Sequence, residues 1–337
     1  MKKIRLALRI AVLVAALLAA CSCHKEGVRR GGVVSFRFST VAPTTRATTP
    51  GDGDASDGGG IFLTDGKPDL TILVATSGGT IVKRFDGAAP GADEDVVLQS
   101  ATETEAVVAF DLSDHGAGEY LVFAVANDAG ALTQGITSVS ALEGLTLTEA
   151  QVPAGRIPLS ARGSFTVYEE MNGQVGLELL RCMAKVSVEL VNNTGAELTL
   201  TDFREDFSRM RPDRAFVLAQ DATMPSGAVA GTLSAEVASL TVPAFADAAE
   251  TEPGRLTAGS WYVFPSTGPY TSAIRFTLDG TAYSFPDLSV TDFRQKDIAS
   301  LERNQHLRIV TRISRGQVSF NFEVAEWDTK NEEVHFD

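Results

Sequence analysis

From Leu180 to Leu190 every second residue is apolar: Leu180, Cys182, Ala184, Val186, Val188 and Leu190 alternate with a set that includes Arg181, Lys185, Ser187 and Glu189. A period of two is that of a strand with one buried face, because successive side chains leave opposite sides of the backbone. Leu177–Val191 is therefore read as one long central strand, ended by the turn cluster Asn192-Asn193-Thr194-Gly195. Halves of similar size flank it, so it is the candidate first strand of a second domain.

A chain of 337 residues suits two domains of about 150 residues each. With 44% hydrophobic and 21% charged residues, 30 glycines and abundant Val, Thr and Ser, it reads as β-rich and able to bury a core. The formal net charge of −14 argues against a nucleic-acid partner, which would need a basic patch. Three cysteines, Cys21, Cys23 and Cys182, leave only Cys182 in the folded part. A disulfide framework is excluded, and Cys182 reads as a small core hydrophobe.

Short alternating runs recur along the chain. Val34, Phe36 and Phe38 alternate with Ser35, Arg37 and Ser39, which predicts a strand over 32–40. Thr76-Ser77-Gly78-Gly79 and Asp279-Gly280 each sit between two such runs and predict hairpins. Glu105–Phe110 and Glu119–Ala126 flank a turn in the same manner, and Glu197–Phe203 is expected to pair with the central strand. One helix is expected within Ser138–Leu147, whereas 204–225 reads as irregular and 228–249 as weakly patterned. Many short strands with almost no helix predict an all-β chain of two antiparallel β-sandwich domains. The expected division is 1–20 leader, 21–60 N-terminal strand and tether, 61–173 first sandwich including strand 32–40, and 174–337 second sandwich.

Residues 1–20 join a basic start (Lys2, Lys3, Arg5, Arg9) to an apolar run too short for a comfortable transmembrane helix, the form of an export signal. The run ends Leu18-Ala19-Ala20-Cys21, which resembles the lipobox of bacterial lipoproteins, with Cys21 as the residue that takes the lipid. Two or more acyl chains would hold the mature protein on a membrane without spanning it. Residues 41–60 are rich in Gly, Pro, Thr and Asp and cannot bury enough surface to offset ordering entropy, so they read as a tether. Arg46, followed by Ala47, is its one basic residue and a candidate protease site. Asp52, Asp54 and Asp57 invite a calcium-loop reading, but Asp57 stands where that loop needs Gly and Leu63 where it needs Glu.

Catalytic patterns are absent from the sequence. His24, His115, His306 and His335 share no metal-ligand spacing, and no nucleophile elbow or phosphate-binding glycine loop occurs. The 43 acidic residues supply chance carboxylate pairs and read as solvated surface. No metal, cofactor or enzymatic activity is expected. Trp261 and Trp327 are read as core residues, with exposure of either as the sign of a ligand site.

Five features in order carry a resemblance: the lipobox leader; an early strand followed by Thr45-Arg46-Ala47; Leu179–Val188 with Arg181, Ala184 and Lys185 in the form Leu-x-Arg-x-x-Ala-Lys-Val-x-Val; Leu301–Asn304 as Leu-x-Arg-Asn; and Val324–Asp328 as Val-x-x-Trp-Asp. Together they resemble the fimbrial subunits of Bacteroidales-type bacteria, the fimbrillin and minor-fimbrium anchor family. The resemblance implies two sandwiches of transthyretin-like topology, outer-membrane export as a lipoprotein, and partnership with other fimbrial subunits. It also implies β-strand addition: an arginine-specific protease would cut after Arg46, releasing the strand of Val34, Phe36 and Phe38, and a neighbour's C-terminal strand would fill the groove. The donor in this chain would be Lys330–Asp337, with Val334 and Phe336 as its apolar side chains. Anchoring members stay uncut and keep their lipid, and the short tail with the strong lipobox favours that role. The alternative is a surface adhesin or glycan-binding lipoprotein on the same scaffold, with host or bacterial surface ligands.

Overall fold

The computed structural model describes residues 32–40, 60–128, 131–152, 156–169, 172–219, 221–244, 254–292 and 294–326. The first half contains β1 (Val33–Thr40), β2 (Leu63–Thr64), β3 (Lys67–Pro68), β4 (Leu70–Thr76), β5 (Ile81–Asp86), β6 (Val96–Ala101), β7 (Glu105–Asp111), β8 (Gly118–Ala126), helix α1 (Val139–Glu143), β9 (Thr146–Thr148), β10 (Leu159–Val167) and β11 (Gly173–Arg181). The second contains β12 (Ala184–Asn192), β13 (Leu198–Pro212), β14 (Arg214–Phe216), β15 (Ala230–Val242), β16 (Gly254–Val263), β17 (Ser266–Thr267), β18 (Thr271–Leu278), β19 (Thr281–Ser289), β20 (Ser300–Leu301), β21 (Gln305–Ser314) and β22 (Gln317–Glu326).

The first eight-stranded ladder runs β5-β4-β8-β10-β11-β1-β7-β6. Its centre is thin: β10 meets β11 only at Leu159–Arg181 and Ser160–Leu180. The ladder folds there into two four-stranded halves that share one core, with Ile72, Val122 and Phe165 from one half against Phe36, Phe38 and Phe110 from the other. In the second half of the chain, sheets β16-β12-β21-β22 and β15-β13-β18-β19 enclose Val186, Val188, Phe203, Phe207, Ile274 and Ile309. The all-β, two-sandwich expectation is met, but two pairs are parallel, β1 with β11 and β12 with β21.

The stretch Leu177–Val191 is two strands on two different sheets. In β11 the inward residues are odd-numbered (Leu179, Arg181), and in β12 they are even-numbered (Ala184, Val186, Val188, Leu190). The phase flips at Cys182-Met183, both buried, and Leu180 is left half-exposed. Both phases offer apolar residues here, Leu180, Cys182 and Ala184 in one and Leu179 and Met183 in the other, which hides the break. The change of sheet thus falls at 182–183 instead of the expected 173–174, because β11 belongs to the first ladder.

Other departures have similar causes. The hairpins β4–β5 and β18–β19 form as expected, the latter with Asp279 and Gly280 at φ 50° and 74°. However, β7 and β8 lie in opposite halves of the ladder, and β12 and β13 in facing sheets. The second crossing is fixed by Asn192, whose Nδ2 donates to the carbonyls of Ala196, Val242 and Pro243. The segment expected to be irregular continues β13 to Pro212. Its period is reset by bulges near Asp202 (φ 52°) and Arg209 (φ 63°), so alternation is lost in sequence although Phe203, Phe207 and Met210 all face the core. Helix α1 is a short element capped by Ser138, whose side chain accepts from the Ala141 amide, and the chain then enters β9.

The two sandwiches meet over Leu73, Phe123 and Leu147 on one side and Met183, Val217 and Phe264 on the other, and β9 pairs with β14 across the joint. Arg303, 5% exposed, is set into this seam. Its Nε donates to the Arg181 carbonyl at 2.9 Å, Nη1 to those of Val217 and Ala219 at 3.2 and 3.0 Å, and Nη2 to those of Ser160 and Leu180. Arg181 Nη1 donates to Asn304 Oδ1, and the Asn304 amide to the Met183 carbonyl. Burial lowers the Arg303 pKa, yet a guanidinium remains charged in proteins; burial likewise pushes the adjacent Cys182 thiol up, so it stays protonated.

Two stability effects are expected. Arg303→Ala strands buried carbonyls and costs about 3–5 kcal/mol in thermal or denaturant unfolding, whereas Arg303→Lys, which lacks the planar fork, recovers only part of that loss. A change within about 0.5 kcal/mol for the alanine variant would show that the joint does not rely on this side chain. Glu205 lies on the core face of β13, with Oε1 accepting from the Ser272 hydroxyl and no hydrogen-bond partner for Oε2. Burial pushes its pKa up to about 8. A raised folded-state pKa means stability is greatest below the carboxyl's unfolded value and falls as pH rises towards about 8. Glu205→Gln should flatten that decline and be more stable than the parent at pH 8.5 by roughly 2–4 kcal/mol.

Candidate functional site: the slot filled by the first strand

β1 stands third from the β6 edge of the ladder although it is the first of the described strands. Its sequence alternation sets its orientation: Val34, Phe36 and Phe38 point inward and are 2%, 0% and 0% exposed, while Arg37 points out and pairs with Glu105. That ion pair is exposed and contributes little. The inward side chains contribute more, at about 2–3 kcal/mol each for burial alone. Phe36 meets Phe110 and Phe165 edge-on, at centroid distances of 5.4 and 4.9 Å, and stacks on Phe38 at 6.2 Å.

Both edges of β1 are paired. Val34–Thr40 runs parallel to Gly173–Leu179 of β11, and Val33–Ser39 antiparallel to Asp111–Glu105 of β7. The Gly32 carbonyl accepts from the Leu112 amide, and the Thr40 amide donates to the Thr104 carbonyl. The slot is therefore apolar inside and lined by backbone donors and acceptors at its rims. Its chemistry suits an extended peptide with large apolar side chains at alternate positions.

Two features make the slot separable from the rest of the fold. Thr40 and Ile61 are held at one place on the sandwich, since the Thr40 amide bonds to Thr104 and the Ile61 amide to its neighbour Glu103. Asn127, at φ 62°, fixes the returning end: Oδ1 accepts from the Phe62 amide, and Nδ2 donates to the Gly60 and Ile157 carbonyls. Thr40 and Ile61 are thus both held without the connection between them. Secondly, β11 meets β10 only through Leu180 and Arg181, so among the described residues Gly173–Leu179 has β1 as its sole strand partner. β1 therefore supplies the described strand pairing of that segment.

The other residues to which the sequence draws attention divide plainly. Val34, Phe36 and Phe38 come together in the slot, while Cys21, Arg46, Ala47, Trp327, Val334 and Phe336 lie outside the described residues. Trp261 is half-buried, with its indole laid over Gly259 where a Cβ would meet the ring at 2.0 Å, and it packs on the second core. A shallow groove of about 570 Å³ lies over the β13 bulge, lined by Asp202, Arg204, Glu236, Arg275 and Tyr283. Arg204 there is already held by Asp206 and Glu236. No group of three or more His, Cys, Asp or Glu side chains is placed to hold a metal among the described residues. Sequence reasoning missed the role of Arg303, although its Leu-x-Arg-Asn segment was visible, and the dependence of β11 on β1.

No family profile and no characterised protein sequence matches this chain. Solved structures do. A Parabacteroides distasonis protein described as a cell-adhesion protein superposes with a TM-score of 0.57 at 13% identity, over 88% of this chain and 98% of its own. The fimbrillin FimA of Porphyromonas gingivalis gives 0.52 at 14%, over 91% and 100%, and the tip fimbrial protein Mfa3 of the same organism, truncated at its C-terminus, gives 0.51 at 12%, over 89% and 100%. At such identities the likeness is one of fold, and it extends over both sandwiches.

Truncating a slot-filling side chain should act as a core mutation. Phe36→Ala is expected to lower stability by about 3–5 kcal/mol, and Arg37→Ala by less than about 1 kcal/mol, in denaturant unfolding of the full chain. Similar costs for the two would place β1 outside the core.

Proposed function

We propose that this chain is a structural or anchoring subunit of a cell-surface fimbrium, held to the outer membrane through lipid on Cys21 and associating with other fimbrial subunits by β-strand addition. One observation carries the reading: the first of the described strands is an internal, phenylalanine-bearing strand, joined to the later strands only through the connection that contains Arg46. Cutting after Arg46 would leave β1 held by backbone pairing and apolar contact alone, and its departure would expose the β7 edge and an apolar channel. The full-length fold match to fimbrial proteins supports the reading. It assigns no catalysis to the chain.

The anchoring role is preferred over the polymerising one. A donor made of Lys330–Asp337 offers Val334 and Phe336 where β1 offers Val34, Phe36 and Phe38, so it fills the slot less completely. In an uncut chain the lipid would pull on β1 at Gly32, and the bonds to β7 and β11 along the whole strand would resist that pull together. Of the two tryptophans that the adhesin reading would use, Trp261 is laid on its own strand and packs on the second core, which does not favour that reading.

Mass spectrometry of the membrane fraction should find acyl chains on Cys21, and a Cys21→Ala chain should leave that fraction. Retention of the alanine variant in the membrane contradicts the anchor. In the polymerising version, Arg46→Ala blocks maturation and fibre growth, and the mature N-terminus is Ala47. Normal fibres from that variant would show that cleavage at Arg46 is not the trigger.

A further inference from the structure

The outer strand of a sheet invites pairing with another chain, and proteins ordinarily interrupt it with bulges, proline or cover. β5 carries a register break opposite Val74–Ala75 and β6 one at Leu98–Ser100. β16 breaks opposite Val188–Glu189, and the β15 ladder breaks opposite Phe207–Arg211. β19 holds Pro286, with Asp287 at φ 58°, inside its own break. Among the outer strands of the three large sheets, β22 alone has none: its ten pairs with β21 run in unbroken register from Gln305–Glu326 to Ser314–Gln317. It contains no proline, lysine or arginine.

The side chains of β22 sort cleanly by face. Phe322 is buried, Phe320 is half-buried against Phe285 of β19 at 5.0 Å, and Val324 is 37% exposed, one of few large apolar side chains so placed among the described residues. The opposite face carries Gln317, Ser319, Asn321 and Glu323, whose one charge faces Arg308 at 3.6 Å. The two-residue turn Arg315-Gly316 closes on Ser314–Gln317. Antiparallel alternation then turns the amides and carbonyls of Val318, Phe320, Phe322 and Val324 towards the edge that no described strand covers.

We propose that β22 is a homotypic interface: two copies of this chain pair edge to edge, antiparallel, about a twofold axis through Asn321. This register joins outward-facing backbone groups to outward-facing ones. It sets Phe320 opposite the partner's Phe322 and Val318 opposite the partner's Val324, and it sets Glu323 opposite the partner's Ser319, so no like charges confront each other. Two four-stranded sheets become one of eight strands. Because the contact is isologous it closes on two copies and cannot extend a filament, which separates it from strand addition at the β1 slot.

The test uses the full chain in isolated membranes, with Cys23→Ser to remove a competing thiol. Asn321 faces its own copy at a non-hydrogen-bonded pair, where Cα atoms lie about 4.5 Å apart and a disulfide fits. Asn321→Cys should give a linked dimer on a non-reducing gel under mild oxidation, and Ser319→Cys should not. Adding Val324→Lys, which puts a charge into the apolar seam, should abolish the link. Sedimentation of the chain without an added cysteine, in detergent, should give the mass of two copies and fall to one with Val324→Lys. Equal linking at the two positions, a single-chain mass, or a cross-link to a different protein overturns the proposal. So does a link that forms only after residues 327–337 are deleted, which would make the chain's own tail the occupant of the edge.

Discussion

The first sandwich is completed by a strand that the rest of the chain reaches only through residues 41–59. β1 sets Phe36 against Phe110 and Phe165 and stacks Phe38 on Phe36, so both fill the core shared by the two halves of the ladder. It also supplies the only described strand partner of Gly173–Leu179 in β11. Core packing and the order of a neighbouring strand therefore both depend on the occupancy of one slot. A strand with that much responsibility is ordinarily protected by its position within a sequence. Here it stands first among the described strands, before a connection whose two ends are pinned independently to adjacent residues of one loop.

The consequence reaches the second sandwich through β11. Its last residues, Leu180 and Arg181, present carbonyls to Arg303, and Arg181 reaches Asn304 in turn. The Leu-x-Arg-x-x-Ala-Lys-Val and Leu-x-Arg-Asn segments, separated by more than a hundred residues, are thus two sides of one joint. A guanidinium suits the place because five carbonyls from three segments converge there and a planar fork can serve several at once. Those carbonyl dipoles stabilise its charge. Together with the β9–β14 pair and the shared apolar cluster, this makes the seam a packed interface.

The sequence is most legible where one strand keeps one phase. Val34–Phe38 and the β4–β5 and β18–β19 hairpins all follow from alternation and turn chemistry. It is least legible where the phase changes without a turn residue. Around Cys182-Met183 both phases offer apolar residues, Leu180, Cys182 and Ala184 in one and Leu179 and Met183 in the other, so two strands read as one. In β13, bulges at Asp202 and Arg209 reset the period and make a fifteen-residue strand look irregular. Pairing at β7–β8 and β12–β13 departs from expectation because neither crossing carries a local signal; Asn192 acts through carbonyls about fifty residues away. The slot itself is half legible: its filler is identifiable from sequence, while the dependence of β11 on it requires the topology.

If β1 is a separable filler whose slot orders β11 when occupied, hydrogen exchange will register the emptying and refilling of that slot. Exchange can be followed after the connection is cut at Arg46 and β1 is displaced, first alone and then with a synthetic peptide of sequence Val33–Thr40. Amides of Gly173–Leu179 and of the β1-facing edge of β7 should lose protection in the emptied protein and regain it with the peptide, while β12 and β21 stay protected in both. Unchanged protection of Gly173–Leu179 in the emptied protein, or cooperative loss throughout both sandwiches with no recovery on adding peptide, would contradict this role of β1.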